Sequence, residues 1–150
     1  MLKVARTPVT HGDQHNGLAA YSAWAEHLLR DEDFPADEAV LRQRHEVHND
    51  AVGMVAEARW YGSQFLVQVA SNNVLHYRTA EDLLHSAACH AAEHDLMWRL
   101  WELAGGFMSP DAFRRFADPG VRRRMVPVIQ PARDQDLQAA EHVAKTLTKA

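Results

Sequence analysis

Between residues 35 and 71 the apolar side chains return to one face of a helical wheel for about ten turns, and this run dictates what the chain can become. Val40, Val47, Ala51, Met54, Ala58, Tyr61, Phe65 and Val69 form the stripe, and Leu41, Val52, Val55 and Leu66 widen it. Gln43, Glu46, Asp50, Glu57, Gln64 and Gln68 fall on the opposite side. A period near 3.6 is that of an amphipathic helix and excludes a strand. Pro35 opens this helix, with Asp37 and Glu38 at its positive end. At 1.5 Å per residue it is about 55 Å long, too long for a short neighbour to cover.

The rest of the chain supplies the neighbours. A first helix is expected over 16–31, on Leu18, Tyr21, Ala25, Leu28 and Leu29, after an extended lead-in over 1–15 that closes in the turn His11-Gly12-Asp13. A turn at Ser71-Asn72-Asn73 separates the long helix from a third over 79–104, opened by a capping box at Thr79 and stopped by Gly105-Gly106. Leu83, Ala87, Ala91, Met97, Trp98 and Trp101 make one apolar face of this third helix, and Leu96, Leu100 and Leu103 make another, so it is expected at the centre with neighbours on two sides. Ser109-Pro110-Asp111 starts a short helix to 117. The stretch 121–131, with two prolines, reads as irregular, and a last helix spans 134–148 on Leu137, Ala140, Ala144 and Leu147. The fold class is therefore all-α: a single-domain bundle of four to five helices with a long second and a central third helix.

The totals narrow the classes of function. A net charge of -4 argues against a chain that coats nucleic acid. The lone Cys89 rules out a scaffold stapled by internal disulfides. Neither a signal peptide nor a membrane span is read, and the cytoplasm is the expected compartment. Phosphate loops, nucleophile elbows, His-Glu-x-x-His and Cys-x-x-Cys are absent, so the sequence leaves open whether the protein is an enzyme.

Ten histidines are the odd entry in the composition. On the helical wheel Arg44 and His48 lie inside the apolar arc of the second helix, Arg59 at its edge and His45 further out. His90 and His94 lie within the apolar arc of the third helix, one turn apart. Antiparallel packing of the two helices would bring His48, His90 and His94 together as ligands of a transition metal, a haem or a small molecule, with Arg44 or Arg59 holding an anionic group. The alternative is that each imidazole is satisfied by a carbonyl, a carboxylate or a water. His90-Ala-Ala-Glu-His94 shares a spacing with hemerythrin-like bundles, but His45 and Asp50 precede the pair instead of following it. The Glu-x-x-His pairs of di-iron carboxylate bundles are missing, and His94-Asp95 lacks the further ligands of HD-type phosphohydrolases. No family is assigned on these residues.

A second class of function stands beside the first, a non-enzymatic interaction or assembly module. Its surface would comprise the long helix, Trp60 on that helix's polar side, and the cluster Arg114, Arg115, Arg122, Arg123 and Arg124, with a protein partner or a second copy as the occupant. Nucleic acid is disfavoured, since no aromatic interleaves with the arginines.

Overall fold

The computed structural model describes residues 15–71, 75–106 and 110–147. The lead-in (except His15), the Asn72-Asn73 turn and Ser109 lie outside the described residues. Among these residues there are five α-helices: α1 (Gly17–Leu28), α2 (Glu38–Ala70), α3 (Tyr77–Ala104), α4 (Ala112–Ala117) and α5 (Pro119–Leu147), with a 3-10 turn at Asp31–Asp33. No strand occurs among the described residues. None of their helices is long and apolar enough to cross a membrane.

The all-α bundle with a long second helix and a central third helix is what forms. α3 packs along both α2 and α5, while α1 rests mainly on α5 and α4 plugs one end. Small residues bring the long helices close. On the α5 side Ser86 donates from Oγ to the carbonyl of Ala139 at 3.0 Å. On the α2 side Gly62 leaves room for the His90 ring. The core between them holds Val52, Ala56, Met97, Leu100, Met125 and Ile129.

Helix ends follow local chemistry. Asp37 caps α2, accepting from the amides of Ala39 at 2.9 Å and Val40 at 3.1 Å. α3 begins at Tyr77, two residues before the expected Thr79 cap, because the His76 ring accepts from the Arg78 amide at 3.3 Å. It ends as expected at Gly105, whose φ of 101° is a left-handed cap that glycine adopts without strain.

Two expectations are overturned. The stretch 121–131 is helical, part of the 29-residue α5. Its prolines, Pro127 and Pro131, are four apart and both exposed, so the freed carbonyls face water. Val121, Met125, Val128, Ile129 and Ala132 bury the opposite face, and this burial outweighs the proline penalty. The second correction concerns α2. Its buried face is Leu41, His45, His48, Asn49, Val52, Ala56 and Ser63, whereas Val47, Met54, Tyr61 and Phe65 of the regular stripe are exposed. Close approach to α3 selects the small residues, and α1 is too short to cover the rest.

Arg122 ties the ends together. Its guanidinium is 1% exposed and donates to the carbonyls of Leu28 at 3.0 Å, Phe116 at 3.2 Å, and Ala117, and to the Asp31 carboxylate. It also lies 3.9 Å from the centre of the Phe34 ring. One cation thus caps the C-terminal ends of α1 and α4, where carbonyl dipoles point. Arg122→Met should cost about 3–5 kcal/mol in urea denaturation, because several buried carbonyls lose their donor. Arg122→Lys should recover only part of that loss, since an ammonium lacks the planar fork.

Candidate functional site

Four helices meet at one buried carboxylate. Glu93, on α3, is 0% exposed. It accepts from the Tyr21 hydroxyl of α1 and from Nε of Arg59 of α2 at 2.6 Å. The same guanidinium reaches Oδ1 of Asp136, on α5, at 2.9 Å. Nδ1 of His90, one turn before Glu93, lies 4.0 Å from its Oε2 and is buried without a hydrogen-bond partner. One nitrogen of His90 and one carboxylate oxygen each from Glu93 and Asp136 lie within 4.8 Å of one another.

The α3 register explains the placement. Leu83, Ser86, His90, Glu93, Met97, Leu100 and Ala104 alternate three and four residues apart and are all buried. Glu93 therefore occupies a core position between two inward neighbours.

The electrostatics follow from burial. Desolvation pushes the Glu93 carboxyl up, to about 7; Arg59 pulls it back, Asp136 adds to the rise, and the Tyr21 hydrogen bond opposes it. Burial alone would lower Arg59, but Glu93 and Asp136 outweigh it and hold the guanidinium firmly charged. Burial first, then the charges of Glu93 and Asp136, raise the Tyr21 hydroxyl, so Tyr21 remains a donor. Burial and then the nearby Arg59 lower His90, and Asp136 only partly opposes them. A neutral imidazole with a free nitrogen thus faces two carboxylates.

The residues singled out in the sequence are dispersed. His90 and Arg59 stand in this group. His94 is one turn further along α3, where Trp98 donates to its Nε2 at 2.7 Å and Nδ1 faces Asp95 at 3.0 Å. Both its nitrogens are engaged. His48 does not meet either of them. The His90 ring packs beside Gly62, and His48 lies fourteen positions earlier on α2, about 21 Å along the axis. The expected convergence of His48, His90 and His94 is therefore not formed, because antiparallel pairing sets His90 opposite Gly62 instead of opposite His48. His45, expected further out, is buried, and its Nε2 donates to the Ala104 carbonyl at 3.1 Å.

His48 lines a separate cleft of about 690 Å³ between α1 and α2, with Trp24, Phe34, Val52, Met97 and Phe116 among its walls. Its ring sits 5.4 Å from that of Trp24 and 4.7 Å from that of Phe116. Arg44 stands at the rim, exposed, 3.9 Å from Asp33. Trp60 is 45% exposed, and its ring lies 5.3 Å from that of His94, tilted by 39°.

The arginine cluster is also divided. Arg122 is internal, which removes it from any docking patch, and Arg114 pairs with Glu38 at 2.7 Å and with Asp111 at 2.5 Å. Arg115, Arg123 and Arg124 are exposed. The Cys89 thiol is half-buried and pushed up by that burial, the opposite of an activated nucleophile.

Glu93, Asp136 and Tyr21 were missed as site residues. The alternation of three and four residues through His90, Glu93 and Met97 carried the signal for Glu93; Asp136 had none, since the expected helix began only two residues before it. No known protein family matches the chain, and neither does a curated protein or a solved structure.

His48 yields a pH prediction. Burial lowers its imidazole from 6.5 to about 3, with nearby His45 adding to the shift. Below pH 6.5 the unfolded chain takes up a proton that the folded chain refuses, so stability falls as pH falls. By pH 5 the loss from this residue should be about 2 kcal/mol, and His48→Leu should remove it from the urea-denaturation profile.

Proposed function

We propose that the protein binds a divalent first-row transition metal through His90, Glu93 and Asp136, with Arg59 and Tyr21 as the surrounding charge and hydrogen-bond shell. The observation that carries this reading is the buried His90 ring: its Nδ1 is without a hydrogen-bond partner and 4.0 Å from Glu93, and one of its nitrogens lies within 4.8 Å of an oxygen each of Glu93 and Asp136. Ligands held 2.0–2.2 Å from one tetrahedral ion lie about 3.3–3.6 Å apart, so binding would draw the group together by up to about 1.5 Å. One imidazole with two carboxylates suits Mn²⁺, Fe²⁺ or Zn²⁺ better than a haem, whose iron takes one or two axial side chains. Three protein ligands leave coordination positions for water, the arrangement of a reactive centre and not of a closed structural one.

Arg59 defines the competing reading, a purely structural ion-pair network. It already bridges Glu93 and Asp136, and its side chain is 25% exposed, so it has a path to solvent when an ion takes its place. The two readings part on one variant. Arg59→Leu leaves a buried carboxylate without its cation and should cost the metal-free protein about 3–5 kcal/mol. If the group is a metal centre, Mn²⁺ or Zn²⁺ restores most of that loss, and Co²⁺ gives a visible absorption band that Glu93→Gln abolishes. Tag-free protein stripped with chelator is the starting material. An Arg59→Leu protein that stays equally unstable with metal, together with wild type that shows neither a thermal shift nor a Co²⁺ band, overturns the proposal.

A further inference from the structure

The apolar stripe of α2 that stays outside the core lies on a different face of the helix from the residues that enter it. Val47, Ala51, Met54, Ala58, Tyr61 and Phe65 follow one another at intervals of four, three, four, three and four. That is the alternation of four and three found along a coiled-coil seam, and no charged residue interrupts it. All six are exposed, with Val47 at 62%, Met54 at 72%, Tyr61 at 69% and Phe65 at 63%.

We infer that this stripe is the contact surface for a second copy of the chain, its α2 running antiparallel to the first across a two-fold axis near residue 56. Three observations single out this occupant. The first is self-complementarity. Antiparallel helices pair each seam position of one kind with the other kind, and a two-fold centred on residue 56 pairs positions whose numbers sum to 112. Met54 then meets Ala58 of the partner subunit, Tyr61 meets the partner's Ala51, and Val47 meets the partner's Phe65. Both alanines receive a large side chain, and the two-fold repeats each contact.

The second is area. An aromatic side chain carries about 150–250 Å². At the exposures given, the four large residues leave on the order of 500 Å² open per copy, hence about 1,000 Å² in a pair, the size at which specific interfaces begin. The third is charge. An amphipathic helix that lies on a membrane carries lysine and arginine beside its apolar face. Here the flank is Asp50, Glu57 and Gln64, and the arginines of α2 are engaged elsewhere: Arg42 over the Phe113 ring, Arg44 beside Asp33, and Arg59 on Glu93 and Asp136.

The same register sets Glu57 beside Glu57 of the partner subunit, a like-charge contact on the rim. It also brings the partner's Phe65 over Val47, which lines the cleft beside His48.

Sedimentation equilibrium on tag-free protein, from low to high micromolar, tests the inference. Twice the chain mass is expected. Met54→Glu and Ala58→Trp should each return the chain to a monomer with unchanged helix content; because both positions are exposed, their urea midpoints should match that of wild type at concentrations low enough to dissociate it. Glu57→Gln should tighten the pair about twofold to fivefold by removing the rim repulsion. A wild type that stays monomeric throughout, or that is drawn onto anionic vesicles as a monomer, overturns the inference. So does a dimer that survives both seam variants, or one that Glu57→Gln weakens.

Discussion

A carboxylate with no exposure at the meeting point of four helices is the constraint around which this bundle is arranged. An isolated charge in that position would cost several kcal/mol, so the fold has to deliver a cation or a proton to it. Arg59 is delivered from α2, Tyr21 from α1, and Asp136 from α5 shares the guanidinium. α1 is only 12 residues long and packs mainly on α5, so the Tyr21 bond is a principal tie between its middle and the centre. Its C-terminal end is held by the other buried cation, Arg122. Two arginines therefore organise the bundle: one satisfies backbone carbonyls at helix ends, and the other neutralises side chains in the middle.

This division separates what was legible in the sequence from what was not. Helix class and order were readable because burial works through periodicity, and the periods of α2 and α3 are clean. The centrality of α3 was readable from its two apolar faces. Residues 121–131 were misread because proline content argues locally against a helix, while the burial of Met125 and Ile129 acts at long range. Among site residues, His90 and Arg59 were found on the wheel. Glu93 escaped because a carboxylate is ordinarily assigned to the solvent side, although its register with His90 and Met97 placed it inside. The partnership of Arg59 with Asp136 depends on how α2 and α5 lie across α3, and no single-helix pattern contains that.

The face of α2 that enters the core is a further lesson in competing signals. Its large, regular stripe looked like the natural core face, yet the helix buries Asn49, Ala56 and Ser63 instead. Close packing rewards small side chains between long helices that run side by side, since backbone approach brings many more contacts than one large residue does. Asn49 and Ser63 are admitted because they are small; Asn49 Nδ2 reaches Nε2 of His45 at 3.2 Å, while its Oδ1 is left without a partner. The large residues are then left over on a separate face, spaced alternately four and three apart, as a second helix would require.

The cleft beside His48 belongs to the same leftover edge. Among the described residues α1 and α2 scarcely touch, which leaves a cleft between them. Full packing of α1 along α2 would bury Val47 and Ala51; instead Trp24, Phe34 and Phe116 line the gap between them. His48 keeps its neutral form because these aromatic walls desolvate it, and a neutral ring costs far less there than a charged one. The charged group and the neutral imidazole thus occupy opposite reaches of α2, each suited to its surroundings. The helix that carries both is long because it must serve the closed centre at one level and the open edge at another.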